Sequence, residues 1–226
     1  MCGRFTLYSS LSKLKKVFDV DTVTCEIKAS YNVAPGNEVY AIIRQKDNRL
    51  GKLHWGLVPS WAKDLSGASR LINARAETLQ EKPSFRKALK ERRCIIMADG
   101  FYEWKDRQPW YCTSVTDSLF GFAGLWETWK GSDKSVYHSC TIITAEASES
   151  IKEIHDRMPV ILKPETIKEW LDPAIQEYEK LGMILKHGHV TRIRVYPVSK
   201  FVDSPENNDS RCIKPVSDLG KRTIHG

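Results

Sequence analysis

Cys2 is the residue whose chemistry stands out first in this sequence. If Met1 is removed, Cys2 carries both a free α-amine and a thiol. The amine has an ordinary pKa of about 7.7–8.0, so a useful fraction is neutral and nucleophilic near pH 7. Such a residue can capture an aldehyde, first as a Schiff base and then as a five-membered thiazolidine. The alternative is an N-terminal cysteine without a chemical role.

Two further residues could transfer protons. Glu103 lies in an aromatic stretch, residues 101–104, where loss of hydration raises a carboxyl pKa and suits it to acid–base catalysis. His155 follows a helix signal, Ser150 with Glu153, and precedes an apolar run, so it is well placed for proton transfer. The alternatives are an exposed glutamate on an amphipathic strand and a structural histidine.

Other segments favour contacts with a polyanion. Asn73 and Arg75 are two residues apart, so on an extended segment they face the same way. An amide can orient a nucleophile, and a guanidinium can grip a phosphate with two hydrogen bonds. Trp55 and Trp61 lie near glycine and proline, and exposed aromatic rings beside arginines suit single-stranded nucleic acid. A polar strand edge and, for Trp55, core packing are the alternatives.

Composition is that of an ordinary globular protein with a basic excess. The 226 residues are 41% hydrophobic and 28% charged, which predicts one fairly large domain. The formal net charge is +7, which is typical of a protein with a polyanionic partner, nucleic acid first. The alternative is a surface that its charge keeps soluble. No apolar run reaches about 18 residues, so we expect no membrane span. The first residues lack a secretion signal pattern, so we expect an intracellular protein.

The common cofactor motifs are absent from the sequence. There is no dinucleotide-binding or phosphate-loop glycine motif and no paired-histidine protease motif. The six cysteines follow no zinc spacing, and we expect no disulfide framework. Cys94, Cys112 and Cys140 lie in apolar runs and are interpreted as buried. His187 and His189 lack a third ligand, so we expect no metal and no cofactor.

Periodicity predicts an α+β fold rather than a regular alternation of strands and helices. Strands are predicted at residues 39–44, 52–57, 94–98, 101–105, 110–115, 119–126, 137–144, 158–162 and 192–198. Helices are predicted after Ser10, Pro83, Ser150, Pro164 and Pro173. We therefore expect curved, mostly antiparallel β-sheets, barrel-like and flanked by helices. The polar residues after 201 predict a loosely ordered tail.

Seven motifs in order resemble the SOS-response-associated peptidase family, whose members are abasic-site processing proteins. They are MCGRF at residues 1–5, YNVAP at 31–35, WGLVPSW at 55–61, INARAE at 72–77, ADGFYEW at 98–104, IITA at 142–145 and IHDRMP at 154–159. The resemblance implies a single domain over residues 1–200, followed by a C-terminal extension, 201–226. It also implies a basic groove for single-stranded DNA.

The resemblance further implies roles for individual residues. Cys2 would attack the ring-opened aldehyde of an abasic site, Asn73 would position it, and Glu103 and His155 would move protons. The DNA contacts would come from Arg4, Asn32, Pro35, Trp61, Arg75, Thr144 and Arg157. Trp61 would be the stacking surface, with Ala62 where some members have a second aromatic residue.

Three functions therefore compete on the sequence. The first is covalent capture of abasic sites in single-stranded DNA, with weak lyase activity. The second is a cysteine peptidase acting on its own N-terminus through Cys2, Glu103 and His155. The third is a non-covalent reader of modified DNA. For the first we expect a cytoplasmic monomer, associated with the nucleoid when bound to DNA, with no membrane or metal partner.

Overall fold

The computed structural model describes residues 2–116, 118–188 and 192–216. Its strands are β1 (Arg4–Leu7), β2 (Thr22–Val23), β3 (Ser30–Val33), β4 (Glu38–Arg44), β5 (Asn48–Trp55), β6 (Asn73–Arg75), β7 (Arg93–Ala98), β8 (Gly100–Lys105), β9 (Gln108–Ser114), β10 (Phe120–Lys130), β11 (Val136–Glu146), β12 (Arg157–Pro159), β13 (Ile161–Leu162) and β14 (Ile193–Pro197). The α-helices are α1 (Leu11–Phe18), α2 (Pro83–Glu91), α3 (Glu149–Lys152), α4 (Pro164–Leu171) and α5 (Tyr178–His187).

Five strands close into a small barrel. β5, β4, β7, β10 and β11 pair in that order, each antiparallel to the next. A short parallel pairing between β11 and β5 closes the ring. Each of the five strands places a buried side chain in one interior cluster: Ala41, Leu53, Ile96, Phe122 and Ile142. Because side chains alternate along a strand, one face of each strand fills the barrel and the other faces outward.

Helices cover much of the outer face of the barrel. Ile42, Ile95 and Leu125 alternate with the interior residues and join a second cluster with buried residues of the helices. The contact is close at Gly121 of β10, where an added Cβ would lie 3.0 Å from Phe18 of α1 and 3.2 Å from Ile167 of α4. The amphipathic faces that predicted these helices are therefore buried against the barrel.

A second sheet packs on the barrel and carries the start of the chain. Its strand order is β14-β9-β8-β1-β3, and all four pairings are antiparallel. Phe5 of β1 lies 5.2 Å from Trp55 of the barrel, and Phe101 of β8 lies 6.0 Å from Phe122, measured between ring centroids. The predicted α+β class, with barrel-like antiparallel sheets flanked by helices, is confirmed.

Helix starts differ in part from the prediction. Ser10 caps α1, and Pro83 and Pro164 begin α2 and α4 as expected. The prediction of a capping box at Ser150 is wrong, because Ser148 is the N-cap residue and Ser150 lies inside α3. The helix predicted from Pro173 begins only at Tyr178. In the described residues no helix is long and apolar enough to cross a membrane.

The chain after residue 200 is packed rather than loose as far as the structure describes it. Residues Lys200–Asp203 and Ser210–Ile213 form 3-10 turns. Val202 and Cys212 are fully buried against Tyr102 and Tyr111 of the second sheet. The polar sequence predicted a tail because its few apolar residues show no periodicity. The prediction for residues 217–226 lies outside the described part of the chain.

Candidate active site

Cys2 is buried directly before β1. It has no exposed surface, and its Sγ lies 3.8 Å from the backbone oxygen of Arg4. The Asn73 side-chain amide donates a 2.8 Å hydrogen bond to the backbone oxygen of Cys2. Burial raises the pKa of the Cys2 thiol well above its usual value, and the nearby charge of Glu103 raises it further. The resting thiol is therefore protonated, and it could act as a nucleophile only if a base accepted its proton.

Asn73 reaches Cys2 from the barrel. It begins β6, which runs parallel to β11 with Asn73 opposite Ile142. Its side-chain oxygen is buried and accepts no hydrogen bond from any residue that the structure describes. A buried acceptor of this kind can receive a proton donor of Cys2 or of a bound substrate.

Glu103 approaches from the second sheet. β8 pairs with β1 so that Tyr102 lies opposite Arg4, which brings Glu103 close to Cys2. Glu103 is 3% exposed. Burial, reinforced by the negative charge of Asp156, raises the pKa of Glu103 to about 7. The carboxyl thus exists in both protonation states near neutral pH, as acid–base catalysis requires. The pKa of Glu103 is raised, which is the direction predicted from its aromatic neighbours.

His155 lies between α3 and β12, the position predicted for it. The backbone N–H of Arg157 donates to His155 Nδ1 at 3.0 Å, and Asp156 Oδ1 lies 2.9 Å from the same nitrogen. Burial lowers the pKa of His155, with a smaller opposing effect from Asp156. The Arg157 N–H can donate only to an unprotonated Nδ1, whereas the Asp156 carboxylate can accept only from a protonated one. The two contacts therefore favour different protonation states of the ring.

Segments far apart in sequence thus converge on Cys2. Asn73 contacts Cys2 by a hydrogen bond, and Glu103 acts on it through charge. The charge of the Asp156 carboxylate raises the pKa of both Glu103 and His155, which places the histidine in the same region. Such an arrangement offers a nucleophile, an orienting amide and two groups able to move protons.

Arg157 is held by partners that the sequence analysis did not identify. Both terminal nitrogens of its guanidinium pair with Glu77, at 2.8 and 3.0 Å. Arg157 also donates to the Thr144 backbone oxygen at 2.7 Å. The Arg157 side chain is 14% exposed and that of Glu77 53% exposed. Although Glu77 belongs to the INARAE motif, nothing in the sequence indicates that it pairs with a residue 80 positions away.

Three residues of the expected DNA contacts lie at or near the surface. Trp61 is 67% exposed. Arg75 ends β6 and is exposed, and its guanidinium forms no hydrogen bond or ion pair with the described residues. Pro35 is partly exposed in the turn after β3, beside Gly36 with a φ of 85°. These side chains remain available for a ligand.

Arg4 and Asn32 are bonded instead to the C-terminal segment. Arg4 donates to Asn32 Oδ1 at 2.6 Å and to the Val202 backbone oxygen at 2.9 Å. The Asn32 amide nitrogen donates to the backbone oxygens of Val202, Ser204 and Asn207. Asn32 is 3% exposed. Both side chains therefore attach β1 and β3 to this segment, a contact the sequence analysis missed.

Cysteine and histidine placement offers no metal centre within the described residues. All six cysteines are free, and Cys94, Cys112 and Cys140 are buried as predicted. No group of three or more His, Cys, Asp or Glu side chains in the described residues could hold an ion. The prediction for the His187–His189 pair lies outside the described residues, because these do not include His189.

Comparisons with known proteins identify a family and several similar proteins. A family model described as SOS response associated peptidase (SRAP) matches residues 1–205. The abasic site processing protein YoqW of Bacillus subtilis is 46% identical and aligns with 95% of this chain and 99% of its own. The abasic site processing protein HMCES of Mus musculus is 30% identical over 85% of this chain and 67% of its own.

A solved structure shares the fold. A protein from Bacteroides thetaiotaomicron matches with a TM-score of 0.83, over 95% of this chain and 100% of that chain, at 22% identity. The ordered motifs, the convergence on Cys2, the family model and the relatives together lead to one conclusion: this chain belongs to the SOS response associated peptidase family.

Proposed function

We propose that this protein captures abasic sites in single-stranded DNA as a covalent thiazolidine through Cys2, once Met1 has been removed. The observation that carries the proposal is the contact of buried Cys2 with Asn73 beside Glu103, whose pKa is about 7. Relatives named abasic site processing proteins support the same substrate. The basic net charge of +7 favours a DNA partner.

The chemistry balances without a cofactor. The abasic deoxyribose opens to an aldehyde, and the α-amine of Cys2 adds to its carbonyl carbon. Loss of one water gives a Schiff base. The Cys2 sulfur then adds to the imine carbon, the thiol proton passes to nitrogen, and a thiazolidine ring closes. Every step moves protons but no net electrons, so no oxidant or reductant is required.

Glu103 and His155 are proposed to move these protons. Protonated Glu103 donates to the departing hydroxyl, and ionised Glu103 accepts the thiol proton, which is possible because its pKa is near 7. His155, whose pKa is lowered by burial, assists ring opening and reversal. Asn73 holds Cys2 through its backbone oxygen, so the nucleophile is oriented before the aldehyde arrives.

The DNA strand is proposed to follow a groove with Trp61 as the stacking surface and phosphates near Arg75 and Arg157. Trp61 and Arg75 are exposed and ready for such contacts. Arg157 reaches a phosphate only by exchanging its pairing with Glu77. Pro35 would line the groove. Thr144 is fully buried and accepts a hydrogen bond from Arg157, so it would contribute by positioning that arginine. Arg4 and Asn32 would contribute mainly by fixing the start of β1.

Denaturing electrophoresis tests the proposal. The protein is mixed with single-stranded DNA carrying one abasic site, and we expect a heat-stable band of protein joined to DNA. Cys2→Ala should abolish the band, while Cys25→Ala, which changes a partly exposed cysteine, should retain it. Cys2→Ser keeps the amine and should give only a Schiff base trappable with borohydride. Binding without a stable band in the processed wild-type protein would instead identify a non-covalent reader.

The state of the N-terminus provides a second test. A variant that retains Met1 has an amide in place of the Cys2 α-amine, and an amide nitrogen is not nucleophilic. We expect this variant to bind DNA with ordinary salt dependence and to form no stable crosslink. Intact-protein mass spectrometry establishes whether Met1 is present. Crosslinking by the Met1-retaining protein at the rate of the processed protein would overturn the amine–thiol mechanism.

Autoproteolysis is the second candidate, favoured by the family description as a peptidase. In this reaction the Cys2 thiol attacks the carbonyl carbon of Met1, and the Met1–Cys2 amide bond breaks as its nitrogen takes up a proton. Water then hydrolyses the resulting thioester, which releases methionine and regenerates the thiol, and Glu103 and His155 move the protons. Incubation of Met1-retaining protein, purified without aminopeptidases, should then release methionine in the wild type and not in Glu103→Gln. If both proteins retain Met1 to the same extent, the protein does not cleave its own N-terminus by this reaction.

A further inference from the structure

The barrel has an open cleft on the side where two of its strands separate. In the described residues, β5 and β11 pair at His54 with Ser139 and at Trp55 with Cys140. Earlier in β5, Arg49 and Leu50 pair with β2 instead. A cavity of about 260 Å³ lies there, lined by residues of β4, β5, β10 and β11. None of its lining residues belongs to the Cys2 site.

Apolar side chains form the floor of the cleft. Ala41 and Leu53 are buried and belong to the interior cluster of the barrel. Ile43 and Trp126 are partly buried and pack against that cluster. The Trp126 ring lies 6.4 Å from the His138 ring, at an interplanar angle of 59°. A flat apolar group could enter here and cover surface that is otherwise hydrated.

The rim supplies a positive charge and further hydrogen-bond donors. Within the described residues, the Arg49 guanidinium and the Gln45 side-chain amide form no hydrogen bond or ion pair. Thr128 Oγ1 lies 3.0 Å from His138 Nδ1 and so occupies that nitrogen, which leaves Nε2 for a ligand. Lys52 contributes little free charge, because Glu38 bonds its ammonium group at 2.9 Å. Arg49 is therefore the cation most able to hold an anion in the cleft.

We propose that this cleft binds a small anion that carries a planar ring. The ring packs against Trp126 and Leu53, and the anionic group pairs with Arg49, with hydrogen bonds from Gln45 and His138. A guanidinium can bind a phosphate or a carboxylate with two parallel hydrogen bonds, so either anionic group could pair with Arg49. The volume of about 260 Å³ restricts the ligand to roughly one ring with its charged group.

Calorimetric titration with four probes tests both halves of the ligand. Phenyl phosphate and benzoate carry the ring and an anion, benzyl alcohol carries the ring alone, and inorganic phosphate carries the anion alone. We expect one ring-bearing anion to bind with a dissociation constant of about 1 mM or tighter. The stronger of the two identifies the anionic group. We expect at least tenfold weaker binding of benzyl alcohol and of inorganic phosphate.

Variants locate the binding. Arg49→Gln should weaken binding of the ring-bearing anion by about tenfold or more, because a charge-assisted contact is lost. The matched control is Arg44→Gln, which removes an exposed arginine from the neighbouring strand and alternates away from the cleft. The control should bind the ring-bearing anion with a dissociation constant within about twofold of the wild-type value. In the wild-type protein, the NMR resonance of the Trp126 indole N–H should shift as this anion is added.

Three results would overturn the proposal. They are no binding of either ring-bearing anion, equal binding by Arg49→Gln and the wild type, or inorganic phosphate binding as tightly as the ring-bearing probes. Arg49→Gln should unfold at the temperature of Arg44→Gln and crosslink abasic DNA at the wild-type rate. The titration therefore fails or succeeds independently of the function proposed for Cys2.

Discussion

At the scale of single residues, the ionisation of Glu103 links the candidate chemistry to the stability of the protein. Burial raises its pKa to about 7 in the folded state, against about 4.3 in an unfolded chain. The stabilising effect of the protonated carboxyl is therefore complete below about pH 4 and is lost as the pH rises through about 7. A buried carboxylate above that pH destabilises the fold.

Replacing Glu103 by Gln should remove this pH dependence. The amide has a similar shape and no charge to bury, so at pH 8 we expect Glu103→Gln to be more stable than the wild type, on the order of 3 kcal/mol. Urea denaturation between pH 4 and 8 measures the difference. Glu149→Gln, at an exposed position, is the control. Parallel stability profiles for the wild type and Glu103→Gln would show that the carboxyl does not ionise in this range.

Glu77 is a second residue whose charge should matter for DNA binding. It holds both terminal nitrogens of Arg157, so a phosphate must compete with an existing carboxylate. We expect Glu77→Gln to tighten binding of single-stranded DNA by about three- to tenfold at low salt, with a smaller gain at high salt. Fluorescence anisotropy provides the measurement, with Glu149→Gln as the control. Unchanged or weaker binding would mean that Glu77 positions Arg157 rather than competing for it.

At the scale of elements, the C-terminal segment holds the strand that follows Cys2. Asn32 of β3 donates to three backbone oxygens of this segment, and Arg4 of β1 bonds both Asn32 and Val202. The segment therefore completes the hydrogen bonding of buried groups that the second sheet alone would leave unpaired. Its packing explains why polar residues after 200 are ordered in spite of their composition.

Removing the Asn32 amide should consequently weaken the fold more than DNA binding. We expect Asn32→Ala to lower the free energy of unfolding by about 2–4 kcal/mol, because buried backbone oxygens lose their donor. Asn37→Ala, which removes an exposed turn asparagine, should cost about 1 kcal/mol or less. Chemical denaturation compares the two variants. A loss for Asn32→Ala no larger than that of Asn37→Ala would argue that water replaces the lost contacts.

At the scale of the whole molecule, the net charge of +7 should make DNA binding depend on salt. Arg75 is the exposed guanidinium closest in sequence to Asn73, and it has no ion pair within the described residues. We expect Arg75→Ala to reduce the slope of log affinity against log salt by about 0.7 for single strands, without loss of stability.

The Arg75 measurement needs a charge-matched comparison. Arg44→Ala removes an exposed arginine from β4 and should leave the slope nearly unchanged. Arg4→Ala, in contrast, should lower stability as well as binding, because its guanidinium bonds the C-terminal segment. Equal slopes for wild type and Arg75→Ala would place Arg75 outside the DNA path.

Much of the element content could be predicted from local patterns. The strands β4, β7, β8 and β11 lie within two residues of the predicted bounds, since each is long enough to show a period of two. β10 extends four residues beyond its predicted end, and β5 begins four residues before its predicted start. The short strands β1, β2, β3 and β6 were not predicted, because two to four residues carry no measurable periodicity. Their existence depends on the partner strands to which they pair.

The sequence by itself determined the chemistry available at Cys2, the fold class, the family resemblance and the direction of the Glu103 pKa shift. These follow from residue type, local periodicity and immediate neighbours, all of which are local properties of the chain. Only the tertiary structure decided that Asn73 bonds Cys2, that Glu77 holds Arg157, and that Asn32 serves the C-terminal segment. Those contacts join residues 71, 80 and 170 or more positions apart, and they depend on barrel closure and strand register. No local pattern specifies which distant strands become neighbours, because pairing is selected by burial of the whole core at once.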